Sequence, residues 1–240
     1  IVNNSTLNIC VENVVDSIKE IASKWREKTN CEVIGITGSN GKTSTKEILS
    51  KIISHSKKTM FSKGNYNSTM GLPLSMFSIS KNDEFCILEM GANKSGEIAE
   101  LCRIAKPNHG LITNISNAHN KYFGGIENIA RNKLQLFESL PSSGYAFINM
   151  NDHYLNKLAL ESKKITYGFN GRYNFNGKFA NNCVYIDGYK INLPYPNKAI
   201  AQNYLSAYSV ATTFGISSST IIQILENTPI YAGRGEIVEK

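Results

Sequence analysis

The chain has 240 residues, of which 41% are hydrophobic and 19% charged, with a formal net charge of +7. This composition suits a globular chain with a sizeable core and argues against disorder. The Lys residues are scattered among Asp and Glu, with doublets only at Lys57-Lys58 and Lys163-Lys164, which suits a solvated surface and not a nucleic-acid stripe. No stretch is apolar for long enough to be a signal peptide or a membrane span, so a cytoplasmic fragment is the expectation. The five cysteines (Cys10, Cys31, Cys86, Cys102 and Cys183) form no CxxC pair. They are expected to be reduced thiols without a zinc site.

The first element is an amphipathic stretch with Val14, Val15, Ile18, Ala22 and Trp25 at helical spacing, a lead-in helix. An apolar strand over Glu32–Thr37 follows, then Gly38-Ser39-Asn40-Gly41-Lys42-Thr43, then "TSTKEILSKII" with helical periodicity. Strand, Gly-rich turn and helix start in that order are what a phosphate-binding loop requires. The loop is short: Ile36 stands where the usual first Gly would be. Gly38 and Gly41 would let backbone N–H groups face phosphate oxygens, helped by the positive end of the helix. Lys42 would reach the terminal phosphates, and the Thr43 hydroxyl could ligate Mg²⁺. The competing view is an ordinary Gly-containing turn without a ligand.

The next strand, Phe85–Glu89, ends on a carboxylate at the sheet edge where open α/β folds bind ligands. Alone, Glu89 would be a strand-end acid facing water; after a phosphate loop it reads as a metal ligand. A strand over Gly110–Ile115 leads to a loop that holds His119. Taken alone, His119 is a surface or capping residue, because Mg²⁺ prefers oxygen ligands. His55, His109 and His153 have no constellation around them and are expected to be structural.

In "IENIARNKLQLFESL" the residues Ile126, Ile129, Lys133, Phe137 and Leu140 follow steps of three and four. Lys133 thus falls in the middle of an apolar stripe. Its stem could simply pack while the ammonium reaches water. A desolvated Lys has a depressed pKa, however, and its neutral amine can add CO₂ to give a carbamate, an oxygen ligand for a metal. A strand over Tyr145–Asn149 comes next. Residues 165–195 are short runs rich in Tyr, Phe, Asn and Gly, including a hairpin that turns at Asp187-Gly188. Helical periodicity returns over Ala201–Phe214 and Ser218–Leu225. The expected fold is α/β: a mostly parallel sheet flanked by helices, with a small antiparallel appendage at about 165–195.

The ordered strings "TGSNGKTSTKE", "GNYNSTMGLPLSM", "EMGANKSGEI", "LITNISNAHNKYFGGIENIARNK" and the Gly233-Arg234 pair resemble the Mur ligase family. The resemblance runs from about Ile34 to Arg234 and is closest to the branch that adds D-Ala-D-Ala to a UDP-muramoyl tripeptide in peptidoglycan synthesis. It implies three domains in the whole protein, of which this chain resembles the central ATPase. Residues 1–30 would be a lead-in from a substrate domain, 31–234 the ATP-binding domain, and 235–240 the start of a linker. It also implies a cytoplasmic enzyme, monomeric, that forms an acyl phosphate with ATP and then an amide. Gly38, Ser39, Asn40, Gly41, Lys42, Thr43 and Ser44 would hold the nucleotide. Asn203 would contact adenine, and Arg234 the phosphates. Thr43 and Glu89 would ligate one Mg²⁺, His119 a second, and Lys133 would be the carbamylated lysine, with Lys42, Lys133 and His119 as the catalytic set. Asn67 would contact the acyl substrate, a UDP-linked muramoyl peptide.

The chain departs from the family pattern at Ala199-Ile200, where a His-Asn is usual, at Lys121 and at Gln135. A ligase of the folylpolyglutamate or cyanophycin type would share the short loop but is not expected to have "EMGAN". These departures keep open another Mur-type ligase with a different acceptor; the alternative from another class is a nucleotide-binding module that makes no amide.

Overall fold

The structure, a computed structural model, describes residues 9–117, 123–193 and 197–227. His119, Lys121 and Arg234 lie outside the described residues.

Nine strands form one sheet in the order β2-β3-β1-β4-β5-β6-β7-β8-β9. They are β1 Glu32–Thr37, β2 Thr59–Phe61, β3 Phe85–Glu89, β4 His109–Ile112, β5 Tyr145–Asn149, β6 Lys163–Phe169, β7 Phe175–Ala180, β8 Cys183–Ile186 and β9 Tyr189–Asn192. Pairing is parallel from β2 through β7 and antiparallel from β7 to β9. The expected antiparallel appendage is present as β7–β9 and continues the main sheet. β6, at the start of that expected segment, pairs parallel with β5. The hairpin turns at Asp187 (φ 46°) and Gly188 (φ 90°), the left-handed pair that a two-residue type I′ loop demands.

Helical crossovers join β1 to β2, β2 to β3, β3 to β4 and β4 to β5, so both faces of the sheet are covered. Alternation along β1 sends Ile34 and Ile36 to one core and Val33 to the other. On the first face pack α2 (Lys42–Ser54), α6 (Lys198–Thr213) and α7 (Ser218–Glu226). On the second pack α1 (Val14–Glu27), α3 (Gly71–Met76), α4 (Glu97–Ala105) and α5 (Ile126–Glu138). Core side chains such as Ile34, Leu49, Leu88 and Leu136 are 0% exposed. Each such burial is worth about 1.5–3 kcal/mol.

The lead-in helix α1 starts at Asn13, whose Oδ1 accepts from Val15 N and Asp16 N. It packs into the second core through Ala22, while Trp25 Nε1 donates to Ile79 O at 3.1 Å. The buried Arg26 donates to Ala105 O, to Thr29 O and, at 2.7 Å, to Asn108 Oδ1. A cation is thereby seated on the last carbonyls of α4, where the helix dipole is negative.

The chain moves outward after β1 toward β2 and, after β4, toward β5, so the strand order reverses around β1. Ligands of open α/β sheets bind at such a reversal, beyond the carboxyl ends of the strands. Register brings Ile36 opposite both Glu89 and Leu111. The segments that leave β1, β3 and β4 therefore emerge together. No described helix is long and apolar enough to cross a membrane.

Candidate functional site

β1 delivers the chain into Gly38 (φ 147°), and Gly41 (φ 80°) is the left-handed residue from which α2 starts. A Cβ at Gly38 would lie 1.9 Å from Thr113 Oγ1, and one at Gly41 would lie 2.5 Å from Asn203 Oδ1. Both positions therefore require glycine for space as well as for φ. Thr43 and Ser44 are half-buried in the first turn of α2. Lys42 Nζ folds back to donate to Gly38 O at 2.8 Å and Ser39 O at 3.2 Å. The loop thus leads into the helix N-terminus that the sequence predicted, the kind of end that attracts an anion.

The loop is held by the segment that leaves β4. Thr113 Oγ1 donates to Asn40 O at 2.6 Å and Asn114 Nδ2 to the same carbonyl at 2.9 Å. Ser39 N donates to Asn114 O, Asn40 N to Asn114 Oδ1, and Ser116 N to Ser39 Oγ. This is why β4 ends at Ile112 and not at Ile115 as expected: residues 113–116 turn their polar groups to the loop. The segment is held from behind by β5 and the turn after it, since Asn149 Nδ2 donates to Thr113 O and Asp152 Oδ2 accepts from Ile115 N at 2.7 Å.

One cavity of about 170 Å³ is lined by Gly38, Lys42, Asn67, Glu97, Ile129 and Lys133, among others. Three separate predictions, the phosphate lysine, the acyl-contact asparagine and the mid-stripe lysine, thus converge on one space. Lys133 is 5% exposed. Burial, and then the charge of Lys42, push its pKa down to about 7. Glu89 is 2% exposed; its Oε1 accepts from Asn67 Nδ2 at 2.8 Å. Its Oε2 is buried without a hydrogen bond and lies 3.9 Å from Lys46 Nζ. Asn203 is not part of the cavity lining; it sits against Gly41 and accepts from Thr45 Oγ1 at 3.3 Å.

The donors suit a hard cation shared with a phosphate ligand. Mg²⁺ is commonly held by one or two carboxylates plus substrate phosphates; the carboxylate oxygen present, Glu89 Oε2, has no hydrogen bond but is 3.9 Å from the Lys46 ammonium, and Glu89 does not itself line the cavity. Among the described residues no three His, Cys, Asp or Glu side chains gather as a metal cage. The buried, depressed Lys133 suits a neutral amine. His109, expected to be structural, sits at the opposite end of β4: Nε2 pairs with Glu32 Oε2 at 3.0 Å and Nδ1 accepts from Tyr145 N. Gln135 Oε1 accepts from Ala99 N and Asn132 Oδ1 from Gly96 N, so α5 caps the start of α4. Ile200 is buried in the first core.

Sequence reasoning missed the Thr113–Ser116 clamp, Asp152, Glu97 and Lys46. The clamp and Asp152 left no periodic signal, since they act through loop backbone. Lys46 did leave one: Lys46, Leu49 and Ile53 follow the same steps of three and four that singled out Lys133.

Residues 36–211 match the Mur ligase middle domain family. A Rickettsia prowazekii protein named UDP-N-acetylmuramoyl-tripeptide--D-alanyl-D-alanine ligase is 31% identical over 99% of this chain and 56% of its own. The Synechocystis protein of the same name is 34% identical over 86% of this chain and 46% of its own. MurF ligase of Thermotoga maritima, solved in complex with ADP, superposes with a TM-score of 0.86 at 27% identity, covering 100% of this chain and 58% of that one. The chain spans about half the length of the curated relatives it matches.

Proposed function

The chain belongs to the Mur ligase family, and from that premise we propose that it is the ATP-binding central part of a ligase that joins D-Ala-D-Ala to a UDP-muramoyl tripeptide. The observation that supports this reading is the cavity lined by Lys42, Asn67 and Lys133, which gathers the residues proposed for phosphate and for the acyl substrate in one small volume. In that protein, residues 31–234 form the ATP-binding domain, 1–30 lead in from a substrate domain, and 235–240 begin a linker. It works as a monomer in the cytoplasm, in peptidoglycan and cell-wall synthesis.

ATP binds with its phosphates on Gly38–Ser44, with Asn203 toward adenine and Arg234 on the phosphates. The substrate carboxylate, oriented by Asn67, attacks the γ-phosphorus; an acyl phosphate forms and ADP leaves. The amine of D-Ala-D-Ala then attacks the acyl carbon, releasing phosphate and leaving an amide. Lys42 leaves its two loop carbonyls to follow the charge on the transferring group, the electrostatic role that dominates phosphoryl transfer. Thr43, Glu89, His119 and a carbamylated Lys133 would hold two Mg²⁺, which when bound draw charge from the phosphoryl oxygens. Lys133, whose desolvation lowers its pKa to about 7 so that a large share is neutral amine at that pH, is the amine fit to take up CO₂.

The test is ADP release by the intact protein with UDP-muramoyl tripeptide and D-Ala-D-Ala, each omitted in turn. ADP and amide in equal amounts, dependent on both substrates, is the expected result, with ATP binding weakened by Lys42→Ala. ATP binding without any acceptor-dependent ADP would leave a non-catalytic nucleotide module as the answer.

A further inference from the structure

Lys46 has no part in that chemistry, yet it is one of the largest fully buried side chains of the molecule. It lies one turn into α2, the helix that begins at the phosphate loop. Its ammonium donates to Ser62 O at 2.7 Å and reaches Gly64 O at 3.4 Å. It pairs with Glu47 Oε1 at 2.8 Å and stands 3.9 Å from Glu89 Oε2. Residues 62–67 connect β2 to Asn67, whose amide holds the other Glu89 oxygen at 2.8 Å. Ser62 Oγ meanwhile accepts from Glu89 N at 3.1 Å. Two carbonyls of an irregular segment and two carboxylates therefore converge on one cation.

An ammonium is strongly hydrated, and burying it costs several kcal/mol unless its donors are all used. Leu in its place would pack in the same helix stripe at no such cost. The arrangement has a geometric product instead: it fastens the Asn67 segment to the helix of the phosphate loop and fixes both against Glu89.

We infer that Lys46 is a positioning residue that holds the acyl-contact segment 62–67 in register with the phosphate loop. This rests on the proposed ligase reading for what Asn67 touches, but not for the tether itself. Lys46 acts through Ser62, Gly64 and Glu89 and does not itself line the cavity.

Lys46→Met in the intact protein removes charge and donors while keeping the stem. The expected result is a KM for the carboxylate acceptor raised about tenfold or more, with the ATP dissociation constant within about threefold of the parent. Hydrogen exchange of the amides of 63–67 should quicken at least tenfold, while those of β1 and β3 keep their protection. Lys46→Arg keeps the charge balance but displaces the compact 2.7 Å donor; it carries the same readouts if the Met variant does not fold, with a smaller rise in exchange at 63–67. Parental exchange at 63–67 together with a parental acceptor KM overturns the tether. So does loss of protection spread evenly over β1, β3 and α2, which marks plain destabilisation. If the parent protein shows no acceptor-dependent ATP turnover, the ligase reading fails, and the exchange result still decides the tether.

Discussion

Lys133 carries two opposed demands, a place in the apolar stripe of α5 and an amine facing Lys42 across the cavity. Its native pKa of about 7 lies well below the ordinary 10.5. Between those values the unfolded chain holds a proton that the native chain does not, so stability rises with pH across that window. Below pH 7 the full cost of the buried charge is present. In CO₂-free buffer, Lys133→Met should therefore be more stable than the parent by a few kcal/mol at pH 7, and urea unfolding should show the gap narrowing by at most about 1.4 kcal/mol per pH unit toward pH 10. Activity should move the other way: Lys133→Arg, a permanent cation, should lose on the order of a hundredfold in turnover, as when one electrostatic stabiliser is removed. Gly41 makes a different demand. Alanine there must adopt φ 80° at a cost of roughly 1–2 kcal/mol, and its Cβ meets Asn203 Oδ1 at 2.5 Å. Adding Asn203→Ala should recover the steric part and leave the backbone part. Additive losses in denaturant midpoints would show that the two residues do not touch.

At the scale of elements, α1 shows how a lead-in helix becomes part of the fold. Its Arg26 joins the ends of α1 and α4 through Ala105 O, Thr29 O and Asn108 Oδ1, and Asn108 Oδ1 also accepts from Val33 N of β1. Arg26→Met keeps the apolar stem and should cost about 1.5–3 kcal/mol in urea unfolding, the range for losing charge-assisted hydrogen bonds. An unchanged midpoint would mean that the Arg26 cation is satisfied equally well by water. The strands that enter the main sheet were legible because parallel, doubly buried strands read as apolar runs: "EVIGIT", "FCILE" and "YAFIN" are β1, β3 and β5. β2, three residues at the sheet edge, is too short for such a run. β6 reads "KKITYGF" with an exposed start, and its parallel partnership depends on where the preceding connection sends it, which no local pattern carries. In the site, Lys42, Asn67 and Lys133 were legible because a motif or a stripe named them. Asp152 was not, since an Asp that accepts from Ile115 N and Tyr154 N looks in sequence like any loop acid.

On the proposed reading the molecule as a whole is a nucleotide platform, and the amine would be brought to its cavity from outside these elements. The isolated 240-residue chain should therefore bind ATP with Mg²⁺ in calorimetry yet make amide at a small fraction of the intact protein's rate, because orienting a second reactant is worth several kcal/mol of barrier. Ligation at the intact rate would mean that the amine site lies within these residues. The strand order also sets a timetable. β1 is made first but sits between β3 and β4, and the apolar face of α2 is covered by α6, which ends only at Thr213. On a ribosome, which delivers residues in sequence, the earliest strand waits for partners still being synthesised and the phosphate loop stays incomplete until Asn203 arrives beside Gly41. A nucleotide bound as proposed could therefore stabilise the nascent sheet only once α6 has emerged.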